Sequence, residues 1–151
     1  MNIRKQFDQA LNDTVEEWKK RDSVKGVYVF GSYAEGVATS FSDLDICIVW
    51  EGSEAPVRLL AKHKGVRIDM VFLPTEQIEG VLSGRVQEPF RIAEVVVILD
   101  DAEVVYDSDG SLKQWQDTAA DYRWPQNVIE EMKRGAIQSL TNAEKHADKN
   151  D

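Results

Sequence analysis

The sequence predicts an α/β (α+β) fold, a mixed β-sheet flanked by helices and followed by a C-terminal helical extension. Three observations predict it. The runs Val24–Phe30, Leu44–Trp50 and Val66–Leu73 are short, β-branched and aromatic, as buried strands are. Apolar residues recur at helical spacing before the first run and again toward the end of the chain. A length of 151 residues, 42 % of them hydrophobic, is enough for one domain with its own core.

In chain order, Ile3, Phe7, Leu11, Val15 and Trp18 form one stripe of an amphipathic helix that ends near Arg21-Asp22. The first strand stops at Gly31. Ser32–Ser42, rich in small residues, predicts a turn and a short helix before the second strand. A short helix is expected over roughly Glu54–Lys64, carrying Val57, Leu59 and Leu60, with Gly65 at C′. The third strand closes at Pro74, and Thr75 is placed to cap a helix containing Ile78, Val81 and Leu82. Val95–Leu99 and Glu103–Tyr106, separated by Asp100-Asp101-Ala102, read as an antiparallel hairpin. Asp107-Ser108-Asp109-Gly110 is a turn; it lacks the further ligands of a calcium loop. Leu112 and Trp115 share a helix face, and Pro125 suits the first position of a last long helix. That helix carries Val128, Ile129, Met132, Ala136, Leu140 and Ala143, then gives way to a charged, fraying tail from Lys145 to Asp151. The expected division is 1–110 for the main unit and 111–151 for the helical extension.

With 18 basic and 27 acidic residues the formal charge is −9. Phosphates of duplex nucleic acid would repel such a chain, so a small molecule or another protein is the better partner. The single cysteine, Cys47, excludes an intramolecular disulfide and a cysteine-based metal cluster, and reads as a small core hydrophobe. The polar N-terminus and the lack of any run near ~20 apolar residues predict a soluble, cytoplasmic protein with no membrane partner. His63 and His146 stand among charged residues and are expected to be solvated; Trp18, Trp115 and Trp124 are expected to pack helices.

The chemistry concentrates in three short stretches. Asp43 and Asp45 are two residues apart at the entry to a strand, which places both carboxylates on one face. Two unpaired carboxylates so close repel one another unless a highly charged cation lies between them, and hard oxygen ligands select Mg²⁺ or Mn²⁺. Asp69 lies inside an otherwise largely apolar strand, a costly position without compensation. If its strand neighbours the second, the three acids can converge on two metal ions roughly 3.5–4 Å apart, the arrangement that clamps attacking and leaving oxygens in phosphoryl-type transfer. Gly31 permits a tight turn and close approach to a phosphate, and Ser32 offers a hydroxyl to it. Arg67 shares a face with Asp69, so it either pairs with that acid in the metal-free state or touches phosphate in the loaded one.

Gly31-Ser32-Tyr33-Ala34-Glu35-Gly36, Ser42-Asp43-Leu44-Asp45-Ile46 and Ile68-Asp69-Met70-Val71, in this order and spacing, resemble the signature of the DNA polymerase β-like nucleotidyltransferase superfamily. The small bacterial and archaeal members and the aminoglycoside nucleotidyltransferases are most similar in style. The likeness covers about residues 24–73. It implies a catalytic domain over 1–110 that transfers a nucleoside monophosphate, AMP from ATP, to a hydroxyl of a small molecule or protein with release of pyrophosphate. Asp43, Asp45 and Asp69 would be the catalytic metal ligands, with Asp69 nearest the acceptor and helping to remove its proton. Tyr33–Gly36 would open a helix whose N-terminus favours the triphosphate. Glu35 departs from the basic residue often found there. The alternative is an antitoxin-like binding module with little or no catalysis, its final helix held by a homodimer or a helical partner protein. Glu88, Glu94 and Glu103 are further candidates for an acceptor-side base.

Overall fold

The computed structural model describes residues 2–150. Five strands form one mixed sheet: β1 (Val24–Phe30), β2 (Leu44–Trp50), β3 (Arg58–His63), β4 (Val66–Pro74) and β5 (Glu103–Asp107), in the order β3-β4-β2-β1-β5. Only β2 and β4 run parallel; the other neighbours are antiparallel. Helix α1 (Ile3–Trp18) covers one face, burying Phe7, Ala10, Leu11 and Trp18 against Val29, Ile46, Met70 and Phe72. Asn2 starts it by accepting the Arg4 amide at 2.9 Å. Helices α3 (Thr75–Leu82), α4 (Pro89–Asp101) and α5 (Ser111–Ala120) cover the other face, where Tyr28, Cys47, Val49 and Leu73 meet Ile78, Ile92, Leu99 and Leu112. The expected mixed sheet, flanking helices and C-terminal helices are all present. Cys47 is fully buried, in the core role expected of it.

Burial on both faces explains why β1 and β2 read so clearly. Their middles are buried without interruption, so every position in the run is apolar rather than every second one. Tyr28 shows how the second layer locks on: its hydroxyl donates to the Leu112 carbonyl at 2.6 Å, and burial pushes the phenol's pKa up. No helix among the described residues is long and apolar enough to cross a membrane.

Four elements differ from expectation. Arg58–His63 is a strand, not a helix. It forms a hairpin with β4, and Gly65 is a turn residue instead of a helix cap: Lys64 and Gly65 both have positive φ, 49° and 83°, between paired His63 and Val66. Two consecutive left-handed residues match the twist of flanking strands, which helical geometry at this point would not. Val95–Leu99 belongs to the helix α4, where Ile92, Val95 and Leu99 recur at spacings of three and four and face the core. A β-branched run of that length fits either state by period, and the docking face decides. Its supposed hairpin partner, β5, pairs with β1 instead, Tyr106 opposite Val27. Thr75 does not cap α3; Pro74 holds that position, and the Thr75 hydroxyl accepts the Gly52 amide at 2.9 Å, tying the 51–57 loop to the helix.

His63 is not a free surface imidazole either. Its Nε2 lies 2.7 Å from Asp13 Oδ2 on α1, with Lys64 Nζ at 3.3 Å from the same oxygen. These contacts, the His63 hydrogen bond foremost, lower the pKa of Asp13. The turn 107–110 is a turn as expected, its acids used locally: Asp107 accepts the Gly110 and Lys113 amides, and Asp109 pairs with Lys25 at 2.9 Å. Helix α6 (Gln126–Asn150) starts one residue after Pro125, and Val128 is its anchor in the core. Residues 145–150 of the expected tail continue that helix, and Asp151 lies outside the described residues. From Glu130 to Leu140 every residue is exposed, including Met132, Ile137 and Leu140.

The hairpin turn is testable. Gly65→Ala places a side chain at φ 83° and brings its Cβ to 3.0 Å from Gln6 Nε2, so urea unfolding should show a loss of about 1–2 kcal/mol. An unchanged midpoint would contradict the turn geometry.

Candidate functional site

The parallel pairing of β2 and β4 sets the site. Asp45 and Asp69 are register partners on adjacent strands, which puts their Cβ atoms about 5 Å apart on one face. Asp43 precedes β2 on that same face by its two-residue spacing. Ser42 shapes the approach: its hydroxyl accepts the Thr39 amide at 2.8 Å while its own amide returns to the Thr39 carbonyl at 3.0 Å. All three carboxylates are partly buried.

Gly31 explains itself at this point. At φ 75° it turns the chain from β1 into the single-turn helix α2 (Gly31–Ala34), and a Cβ there would lie 2.2 Å from Asp45 Oδ2. Only glycine leaves room for that carboxylate. The sequence reading expected Gly31 to allow close approach to a phosphate; in the structure the Asp45 carboxylate packs against it. Helix α2 begins at Gly31 and ends by Ala34, so it does not open at Tyr33 as expected, and one turn is too short to build a substantial dipole. Tyr33 is its anchor: the ring stacks on Phe7 at 5.7 Å, the hydroxyl donates to Asp8, and burial with that bond pushes the phenol's pKa up to about 12. Ser32 stands half-buried on the same turn, and Glu35, which ends it, is exposed.

Two arginines complete the cluster. Arg67 lies with Nε 2.9 Å from Asp43 Oδ1 and donates from a terminal nitrogen to the Phe41 carbonyl at 2.6 Å. It therefore pairs with Asp43, not with Asp69 on its own strand. That contact is an ion pair without hydrogen-bond alignment, so Asp43 Oδ1, shielded from solvent, has no hydrogen-bond partner among the described residues. Asp69 is taken by Arg58 of β3, which the sequence reading missed: Nε to Oδ1 at 2.8 Å and a terminal nitrogen to Oδ2 at 2.6 Å, a bidentate fork. The one signal available was the Lys64-Gly65 pair, a weak mark of the hairpin turn that brings Arg58 beside β4.

The electrostatics are those of an acidic site short of positive charge. Burial, then repulsion from Asp69 and Asp43, pushes the Asp45 carboxyl up to about 6, with Arg58 partly offsetting it. Three hard oxygen donors, one of them a shielded oxygen without a hydrogen bond, suit a divalent cation of the Mg²⁺ or Mn²⁺ kind. As they stand, however, no three acidic, histidine or cysteine side chains among the described residues form a ready metal shell. The arginines hold Asp43 and Asp69 instead.

The nucleotidyltransferase domain model matches residues 11–133, which takes in the whole sheet and every site residue named above. The chain belongs to the nucleotidyltransferase domain family, within the polymerase β-like superfamily. A nucleotidyltransferase-like protein from Exiguobacterium sibiricum superposes with a TM-score of 0.55 at 10 % identity, covering 80 % of this chain and 40 % of that one. This nucleotidyltransferase domain thus spans well under half of that relative's length, and the likeness is one of fold. A candidate nucleotidyltransferase from Sulfolobus solfataricus matches at TM-score 0.40 and 20 % identity, over 68 % of this chain and 81 % of that one. A toxin–antitoxin crystallised with AMP-PNP matches at TM-score 0.39 and 12 % identity, over 94 % and 98 %. These last two superpositions are too loose to carry an argument. No protein of curated function matches the sequence.

The raised carboxyl gives a sign-definite prediction. Asp45 binds its proton more tightly folded than unfolded, so the native state holds the extra proton between about pH 4 and 6, and stability falls as pH rises through that window. Asp45→Asn should therefore stabilise the chelator-treated protein at pH 7, by about 1 kcal/mol after discounting for its partial exposure, and flatten that slope. A melting temperature equal to or below wild type at pH 7 would contradict the burial and repulsion that raise this carboxyl.

Proposed function

We propose that this domain is a Mg²⁺- or Mn²⁺-dependent nucleotidyltransferase that moves a nucleoside monophosphate, AMP from ATP, onto a hydroxyl acceptor with release of pyrophosphate. The observation that carries the reading is the in-register Asp45–Asp69 pair with Asp43 alongside, seated against Gly31. In this role Asp43, Asp45 and Asp69 hold the metal, which when bound supplies charge neutralisation and Lewis acidity at the α-phosphate. The chain's own groups do the rest. Asp69, inward on β4, accepts the acceptor's proton. Gly31 and Ser32 present a tight turn and a hydroxyl to the phosphates, and Arg67, fixed to the Phe41 carbonyl, offers a guanidinium beside them. Residues 1–110 would be the catalytic unit, with 111–151 as the extension whose Leu112 closes the second core layer.

The exposed apolar side chains Met132, Ile137 and Leu140 of α6 favour a second, compatible reading: this helix carries a protein-binding face, for a second copy or a helical partner. The acidic charge fits a neutral or cationic acceptor and a triphosphate that arrives as its metal complex.

Incubation with ATP, Mg²⁺ or Mn²⁺ and candidate hydroxyl acceptors should release pyrophosphate in the wild type. Asp43→Ala and Asp45→Ala should lower that release at least 100-fold while circular dichroism stays native. Activity retained by either variant would end the assignment of these ligands.

A further inference from the structure

The fork between Arg58 and Asp69 poses a problem for the site that the family motif does not contain. Arg58 engages both oxygens of the carboxylate that the proposed chemistry needs at the metal. It comes from β3, an edge strand whose side chains are exposed along nearly its whole length, and its own side chain is 57 % exposed. All of its side chain's hydrogen bonds among the described residues go to Asp69. Arg67 differs: it keeps the Phe41 carbonyl as a second anchor. In the β-ladder Arg58 faces Val71, two residues beyond Asp69, and so lies on the carboxylate face of the sheet.

We propose that Arg58 is an exchangeable counterion of the site: it holds Asp69 in the metal-free protein, yields it to the divalent cation, and then pairs with phosphate oxygens of the metal–triphosphate. The charges support the exchange. Asp43, Asp45 and Asp69 carry three negative charges when ionised, and the two arginines return two, leaving the cluster one short. A divalent ion arriving at Asp69 displaces one positive charge and supplies two. The freed guanidinium is anchored nowhere else, stands at the rim of the same face, and has the planar fork that matches phosphate oxygens. Nothing else need break for the swap, because β3 is held by its ladder to β4 and not by this side chain. The exchange also couples the two ligands: metal releases the arginine that the triphosphate uses, so each favours binding of the other.

This inference rests on the proposed metal site, and the experiment separates the two. Mn²⁺ binding is measured by electron paramagnetic resonance or calorimetry, first alone and then with a non-hydrolysable ATP analogue. Wild type should bind Mn²⁺ and Asp45→Asn should not; absence of that contrast overturns the metal site itself, and the inference with it. Given the contrast, Arg58→Gln should bind Mn²⁺ alone about tenfold tighter than wild type and lose most of the gain in affinity that the analogue confers. Arg58→Lys keeps the charge but cannot form the fork, so it too should bind Mn²⁺ alone several-fold tighter. Lys62→Gln, a charge removed from the same strand without a carboxylate fork, should change either quantity by less than twofold. Mn²⁺ affinity of Arg58→Lys equal to wild type, an Arg58→Gln effect no larger than that of Lys62→Gln, or an undiminished gain from the analogue in Arg58→Gln would each overturn the exchange.

Discussion

The repulsion among three carboxylates brought onto one sheet face is the constraint around which the rest of the structure is arranged. It originates in one strand pairing. β2 and β4 are the only parallel neighbours, and their register sets Asp45 beside Asp69. Sliding either strand by one residue would turn an acid into the core and an isoleucine or a methionine outward, so the buried faces on both sides protect the register. The hydrophobic layers, Ile46 and Met70 on one side, Cys47 and Leu73 on the other, thereby hold charges together that would otherwise separate.

The neighbouring elements read as responses to that charge. Gly31 gives up a side chain so that the Asp45 carboxylate can sit against the backbone. Arg67 spans Asp43 and the Phe41 carbonyl, bracing the loop that delivers Asp43 as well as compensating it. Arg58 reaches in from the sheet edge to Asp69. Even so, burial first and then repulsion from Asp69 and Asp43 push the Asp45 carboxyl up to about 6. Carboxylates perturbed in this way cluster at functional sites, which is what the proposed metal site would use.

What the sequence disclosed follows from how directly each element's cause is written in a few residues. β1 and β2 are legible because burial on both faces leaves unbroken apolar runs in their middles, β4 because Met70–Leu73 is such a run, and α1 because a single stripe at 3.6-residue spacing meets the sheet. The acids and Gly31 are legible because their chemistry needs those residue types wherever the chain folds. The β3 edge strand is not. Its side chains are exposed on both faces, so Arg58–His63 carries neither alternation nor a continuous run, and Val57, Leu59 and Leu60 imitate a helical face. Its identity as a strand is stated by two positive φ angles at Lys64-Gly65, a backbone property that only weakly marks a Lys-Gly pair. α4 failed for the opposite reason: Val95–Leu99 is apolar all round, and whether such a run lies down as helix or strand depends on what it docks against.

The same division explains why Arg58 escaped notice while Arg67 did not. Arg67 lies two residues from Asp69, so a face can be assigned from spacing alone, although its actual partner is Asp43 across the strand gap. Arg58 is eleven residues from its partner, and only the hairpin joins them. The acids proposed to hold the metal sit in short local motifs on the two central strands, so their types and spacing can be read directly from the sequence. Arg58 comes instead from an edge strand whose side chains are mostly exposed, where the sequence carries little visible pattern. For this domain the consequence is physical: the carboxylates are seated on strands held by the core, whereas Arg58 has Asp69 as the sole partner of its side chain among the described residues and is the group proposed to exchange.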